Sequence, residues 1–147
     1  MNRKRRFRCR IMNDEERSMN DDADNQKITS FTDLHTWQVA HTLVLEIYRI
    51  TREFPREEQF GLTSQLRRAV VSITSNIAEG FSRPSYKEKI QFYSMSLGSL
   101  TEVQNQMIIA KDIEYLQEAT FIDIERIIIN THKLLNGLIK SSKSYIA

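Results

Sequence analysis

The sequence predicts an all-α protein: an antiparallel up-down-up-down four-helix bundle preceded by a disordered N-terminal arm. Three observations support this prediction. Apolar residues recur at spacings of three and four along four segments between residues 31 and 147, which is the period of an amphipathic helix. The 147 residues include 4 Gly and 2 Pro, a composition that fits long helices with few connections. No segment alternates with the period of two that half-buried strands show.

Residues 1–30 form the predicted arm, because they lack apolar periodicity and carry charge in blocks. Residues 1–10 contain six Lys or Arg and no acidic residue, and residues 11–30 contain six Asp or Glu and two basic residues. Such blocks are typical of disordered segments. Met12 and Met19 offer later start sites, so the basic decamer is either native or an artefact of a start assigned too far upstream.

Residues 31–147 form a single predicted bundle domain of four helices. The bounds of the first two helices follow from their caps and breakers. The first helix begins near Thr32 or Asp33, since both are N-cap residue types, and stops at Pro55, which disfavours helical geometry in the residue before it. The second helix ends near Gly80. The apolar stripes are Trp37, Ala40, Val44, Ile47 and Phe54 in the first helix, with Leu43 and Ile50 beside them, and Leu62, Leu66, Ala69, Val70, Ile73 and Ile77 in the second.

The third helix follows Pro84 and ends near Ile113, and the fourth begins after a short turn at residues 115–117 and fades near Ser141. Their stripes are Tyr86, Ile90, Tyr93, Leu97, Leu100, Val103 and Met107 in the third helix, and Phe121, Ile124, Ile128, Leu135 and Leu138 in the fourth. Four helices with short connections pack as neighbouring antiparallel rods.

The segment 72–80 is small and polar where helix propensity favours larger side chains. We expect Ser72 and Ser75 to approach the third helix near Met95 and Phe92. Gly98 in that helix costs about 1 kcal/mol relative to Ala, and close approach by a neighbouring helix or subunit would offset this cost.

Polar side chains on the second and third helices form a predicted structural network, whose members are Asn76, Glu79 and Glu102. Arg68 is positioned to pair with Glu102. The alternative interpretation is a polar ligand site made by these four residues.

No constellation of residues predicts catalysis, a metal site or a cofactor. Cys9 lies in the arm without a positioned base. His35, His41 and His132 lack the spacing of metal ligands on one helix face. Nucleophile elbows, phosphate-binding glycine loops and paired-cysteine motifs are absent from the sequence. We therefore predict that the protein is not an enzyme.

A cytoplasmic location is expected. Cys9 is the single cysteine, so an internal disulfide is impossible. The basic start leads into acidic residues rather than the apolar region of a signal peptide. No window approaches the roughly 20 apolar residues of a membrane span, so no membrane partner is predicted.

Apolar residues outside the core stripes predict self-association. Val71 and Ala78 lie seven residues apart on the outer side of the second helix, and Ile122 and Ile129 form a similar pair on the fourth. Water would normally meet polar side chains on such faces. The alternative is that they are scattered surface hydrophobes.

Two groups of basic residues are candidate RNA- or DNA-binding sites. The first lies in the arm and the second around the end of the first helix; they comprise Arg3, Lys4, Arg5, Arg6, Arg49, Arg52, Arg56, Arg67 and Arg68. Cations at these positions could neutralise phosphates and release counterions. Glu53, Glu57 and Glu58 lie among the second group, so a solvated face of mixed charge is the alternative there. Residues 31–147 carry thirteen basic and thirteen acidic residues.

Several ordered motifs give residues 31 to about 141 a family resemblance. They are Phe31-x-Asp33-Leu34-x-x-Trp37-Gln38-x-Ala40, Phe54-Pro55-x-Glu57-Glu58-x-Phe60-Gly61-Leu62-Thr63-x-Gln65-Leu66-Arg67-Arg68-Ala69, Ser75-Asn76-Ile77-Ala78-Glu79-Gly80 and Gly98-Ser99-Leu100-x-Glu102. The sequence resembles the four-helix-bundle family encoded within bacterial 23S rRNA intervening sequences. The resemblance implies a ring-like homopentamer. It also implies similarity to accessory proteins of diversity-generating retroelements, which bind nucleic acid and a reverse transcriptase.

The residues and the resemblance together predict a non-enzymatic, homo-oligomeric protein associated with RNA or DNA. Oligomerisation would gather weak basic patches into one multivalent surface. The alternative is an assembly or adaptor ring that binds another protein, such as a reverse transcriptase, and no nucleic acid.

Overall fold

The computed structural model describes residues 27–146. The arm residues discussed above, Cys9 and the basic cluster from Arg3 to Arg6, lie outside this part of the chain. The described helices are α1 (His35–Thr51), α2 (Leu62–Ser82), α3 (Tyr86–Asp112) and α4 (Glu118–Lys143), with 3-10 turns at Phe31–Asp33 and Arg56–Glu58. Residues 27–146 contain no strand, and the all-α prediction is confirmed.

The helices form a square bundle in which each packs against its two neighbours in the order α1, α2, α3, α4 and back to α1. The short connections make neighbours antiparallel, and α2 and α4 lie diagonally opposite each other. We call the end that holds residues 52–61 and 113–117 the top of the bundle. The bottom holds residues 27–34, 83–85 and 144–146. The predicted up-down-up-down topology is confirmed.

Side-chain contacts close the bundle at both ends. At the top, the Tyr115 hydroxyl donates to Glu58 Oε1 at 3.0 Å, and this hydrogen bond raises the pKa of Tyr115. At the bottom, the rings of Tyr86 and Tyr145 stack with centroids 4.7 Å apart. Tyr86 was predicted to be a core residue, but 37% of it is exposed, because it starts α3 and packs on the chain after α4.

The core follows the predicted stripes. Its fully buried large apolar side chains come from all four helices and include Leu43, Ile47, Leu66, Val70, Ile73, Ile77, Leu100, Val103, Met107, Ile124 and Leu135. Leu138, predicted for the core, is half-buried, and its neighbour Ile139 is buried instead. Burial of these stripes supplies the main driving force for folding.

A capped 3-10 turn precedes α1, which starts later than the sequence predicts. Asp33 Oδ2 accepts hydrogen bonds from the backbone N–H groups of Thr29 at 3.0 Å and Ser30 at 2.9 Å, and these bonds lower the pKa of Asp33. Ser30 is the N-cap of the first 3-10 turn, and its hydroxyl completes a capping box with Asp33. The predicted start near Thr32 or Asp33 is therefore corrected: both residues lie in that turn, and α1 begins at His35.

Glu58 organises the connection between α1 and α2. α1 ends at Thr51, before the predicted stop at Pro55. Glu58 Oε2 accepts a hydrogen bond from the backbone N–H of Leu62 at 2.8 Å, which satisfies one free donor at the start of α2. A Cβ atom at Gly61 would lie 2.6 Å from the same carboxylate oxygen. Glycine at this position therefore makes room for the cap.

The sequence predicts that α2 ends near Gly80, but the helix continues to Ser82. A Cβ atom at Gly80 would lie 2.7 Å from Tyr93 Cε1 and 3.0 Å from Phe92 Cβ. The glycine thus permits close packing of α2 on α3. Around Gly98, a Cβ atom would meet nothing within 4 Å, so the close helix approach that was one of two explanations for Gly98 is absent within the subunit.

Candidate functional site

The interface between α2 and α3 is polar along its outer edge. The Ser96 hydroxyl donates to the carbonyl oxygen of Ile73 at 2.8 Å, and the Ser99 hydroxyl donates to Ser72 Oγ at 3.0 Å. Ser72 was predicted to lie near Met95. It lies opposite Ser99, about one helical turn further along α3.

Asn76, Glu79 and Glu102, which the sequence places in one polar network, have different partners and form no hydrogen bond or ion pair with one another. The Asn76 side-chain amide donates to the Ser72 carbonyl at 2.8 Å, Glu79 pairs with Arg83, and Glu102 accepts from Gln106 at 3.2 Å.

The predicted Arg68–Glu102 ion pair is not among the ion pairs of residues 27–146. Gln65 takes the position opposite Gln106, while Arg68 lies on the outer face of α2. Hydrogen bonds from Ser96, Ser99 and Gln106 join α3 to α2 in this region.

An open groove of about 560 Å³ runs along the outer surface of α1 and α2 near the top of the bundle. It is lined by Tyr48, Gln59, Phe60, Thr63, Ser64, Arg67, Arg68, Val71, Ser72 and Ser75. Phe60 is 91% exposed. The groove brings together two predicted nucleic-acid-binding residues, Arg67 and Arg68, and one predicted interface residue, Val71. We call it the Phe60 groove.

The two arginines of the Phe60 groove differ in the contacts that their side chains make within the bundle. Arg67 Nε donates to Thr51 Oγ1 at 2.9 Å, and its guanidinium lies 4.8 Å from the centroid of the Tyr48 ring. These contacts hold Arg67 against α1. Arg68 is exposed and has no hydrogen-bond or ion-pair partner among residues 27–146. Arg68 is therefore the cation available to a ligand or partner.

The remaining predicted arginines on the bundle, Arg49, Arg52 and Arg56, lie near the end of α1. Arg49 donates to Glu46 Oε2 at 2.6 Å, and this hydrogen bond raises the pKa of Arg49. Arg52 and Arg56 are exposed.

The neutral bundle separates its charges between its ends. The top half, residues 44–71 and 100–130, contains seven basic and ten acidic residues. The bottom half, residues 31–43, 72–99 and 131–146, contains six basic and three acidic residues. The predicted arginines of the bundle all lie in the more acidic half. The basic half is not apparent in the sequence, because its lysines are dispersed along the chain and become neighbours only through the topology.

The other predicted interface residues lie on the outer surfaces of α2 and α4. Ile122 is 41% exposed and Ile129 is 45% exposed, and Ala78 is half-buried. Glu118 and Glu125 alternate with the two isoleucines at spacings of four, three and four, so the four side chains share one helix face. We call this set the α4 stripe.

Residues 27–146 offer no group of three or more His, Cys, Asp or Glu side chains suited to holding a metal ion. Within the same residues, none of the helices combines the length and apolar character needed to cross a membrane.

Comparisons with known proteins agree on the type of bundle. The sequence model of the 23S rRNA-intervening sequence protein family matches residues 32–137. One similar solved structure is a protein of unknown function from the S23 ribosomal protein family of Bacteroides thetaiotaomicron, with 20% sequence identity and a TM-score of 0.67. The match covers 71% of this chain and 98% of that one, and at this identity it shows the fold. No curated protein matches the sequence.

Proposed function

Because the chain belongs to the 23S rRNA-intervening sequence protein family, as its sequence motifs predict, we propose that it is a non-enzymatic, homo-oligomeric bundle protein that binds RNA or DNA. The observation that carries the proposal is the excess of basic residues in the bottom half of a bundle that is neutral as a whole. A polyanion would be attracted to the bottom and repelled by the top.

The bottom of the bundle presents cations that acidic neighbours leave free. Lys87, Lys140 and Lys143 are exposed and come from two helices. No ion pair among residues 27–146 involves these three lysines. The nearby carboxylate of Asp33 accepts hydrogen bonds from the chain before α1. Each phosphate that a lysine neutralises releases counterions, which makes binding favourable and salt-dependent.

An aromatic pair lies beside these lysines. Tyr145 is 64% exposed and Tyr86 is 37% exposed, although their rings stack on each other. Exposed aromatic rings flanked by cations are the usual stacking platform for unpaired bases. The arrangement supports single-stranded segments as the preferred form of nucleic acid.

One bottom surface would bind weakly, and self-association would strengthen it. Copies that stand side by side in the same orientation present several basic ends on one side, so that binding becomes multivalent.

Filter binding tests this proposal, with the full-length protein, an unstructured RNA and a paired duplex of equal length over a salt series. We expect tighter binding to the unstructured RNA. The double variant Lys140→Glu, Lys143→Glu should bind about tenfold or more weakly and show a salt slope reduced by about two. The matched control is Arg52→Glu, Arg56→Glu, which changes the same charge at the top. Affinity that ignores salt, or equal losses in both variants, would contradict the proposal.

The second candidate function is an adaptor ring that binds a protein and no nucleic acid. The exposed ring of Phe60 favours this alternative, because a solvated aromatic side chain on a groove is typical of protein interfaces. Binding of a purified reverse transcriptase by the full-length protein, with no detectable RNA or DNA binding, would favour it.

A further inference from the structure

Two exposed stripes on diagonally opposite helices carry apolar groups and opposite charges. The first is on α2, where Ser64, Arg68, Val71 and Ser75 follow one another at spacings of four, three and four and therefore share a face. These residues line the Phe60 groove. Val71 is 39% exposed, and Arg68 is free, as described above. This stripe therefore carries an exposed apolar side chain, Val71, and a positive charge, Arg68.

The α4 stripe has the same spacing and the opposite charge. Its isoleucines, Ile122 and Ile129, are exposed, and its carboxylates, Glu118 and Glu125, form no ion pair within residues 27–146. The segment from residue 112 to residue 125 contains five acidic and no basic residues. Asp112 pairs with Lys111 and Asp123 pairs with Arg126, so the carboxylates that an arginine would meet on the stripe itself are Glu118 and Glu125.

The two stripes also lie at similar distances from the starts of their helices. α2 and α4 both start at the top and run in the same direction. Arg68 lies six residues after Leu62, and Glu125 lies seven residues after Glu118, which at 1.5 Å per residue places both about 9–11 Å below the helix starts. Val71 falls between the heights of Ile122 and Ile129. Two copies standing parallel would thus align charge with charge and apolar group with apolar group.

From this match we infer that the Phe60 groove of one copy binds the α4 stripe of a second copy. Because α2 and α4 are diagonally opposite, the stripes of one subunit face away from each other and cannot meet. Each subunit therefore offers one groove and one stripe, and the contact is head-to-tail, which builds a ring if the rotation closes. In such an assembly every bottom surface lies on the same side. The inference rests on the self-association in the proposed function and assigns its surfaces.

Apolar truncation in the groove gives the first test. The molar mass of full-length Phe60→Ser is measured by sedimentation equilibrium over a range of concentrations. We expect self-association at least about tenfold weaker than in the natural protein, since an exposed aromatic anchor is lost. The matched control is Leu45→Ser, because Leu45 is 55% exposed on α1 but lies outside the groove and the α4 stripe. Equal effects of the two substitutions would overturn the assignment of the groove.

Charge exchange gives the second and sharper test. Arg68→Glu and Glu125→Lys should each weaken self-association about tenfold, because like charges then face each other. The double variant should recover to within about threefold of the natural protein, since the pair is restored with its charges reversed. Circular dichroism confirms that all variants keep their helices.

The outcomes separate the inference from the proposed function. If the natural protein is a monomer, the proposed self-association is wrong and the inference is wrong with it. If Phe60→Ser, Arg68→Glu and Glu125→Lys all form the natural oligomer unchanged, self-association stands and the pairing of these two surfaces is wrong. If Arg68→Glu and Glu125→Lys each weaken assembly but the double variant does not recover, Arg68 and Glu125 do not face each other and the head-to-tail pairing is wrong.

Discussion

Replacing Gly80 by alanine tests the close packing between α2 and α3. Alanine gains about 1 kcal/mol over glycine in a helix interior. At Gly80 the new Cβ atom would lie 2.7 Å from Tyr93 Cε1 and 3.0 Å from Phe92 Cβ. Tyr93 is 2% exposed, so its ring has little room to move, and such overpacking costs about 1–3 kcal/mol. We expect Gly80→Ala to lower the free energy of unfolding by up to about 2 kcal/mol.

Gly98→Ala is the matched control, because α3 presents open space there. The same gain of about 1 kcal/mol then has no packing cost to oppose it, so this variant should be more stable than the natural protein. Urea unfolding followed by circular dichroism measures both variants at one protein concentration, since self-association adds to apparent stability. Equal stabilisation by the two substitutions would refute the packing argument for Gly80.

Three further predictions address the interhelical seam, the first cap and the arm. Ser96→Ala should lower the free energy of unfolding by about 1 kcal/mol in urea titrations, because Ile73 loses a buried hydrogen-bond donor from α3; unchanged stability would contradict this role. The Asp33 carboxyl should titrate in NMR below the ordinary aspartate range, since the backbone N–H groups of Thr29 and Ser30 stabilise its charged form. The capping box should therefore be fully formed above the ordinary aspartate pKa. It should be lost as the pH falls through the lowered pKa of Asp33. Deletion of residues 1–18 should leave salt-dependent RNA binding in filter assays, and complete loss would assign binding to the arm.

Periodicity was sufficient to predict the four helices, their order and nearly all of the core, because burial of apolar stripes decides those features. Helix ends were harder to predict, since caps depend on particular contacts. Gly80 resembles a helix terminator in sequence, yet it lies inside α2 because Tyr93 packs against it. The partner of Ser72 on α3 was also predicted about one helical turn too early, because counting residues from the connection does not fix how two packed helices are offset along their axes.

Some residues of the candidate surfaces could be predicted from the sequence, and others could not. Val71, Ile122 and Ile129 could be identified from one helix at a time, because their exposure follows from position relative to the stripe. The basic bottom could not be identified, since Lys87 lies more than fifty residues from Lys140 and Lys143 in the sequence. Nor could the Phe60 groove, which requires the place of Phe60 relative to both α1 and α2.

The molar mass of the full-length protein in solution tests the central claim most directly. Each chain has a mass of 17.3 kDa. We expect size-exclusion chromatography with light scattering to show a single species whose mass is a whole-number multiple of that value, at least twice as large. The species should dissociate on dilution more readily when Phe60 is replaced by serine. A mass of 17.3 kDa at all accessible concentrations would show that the subunit stands alone and would contradict the account.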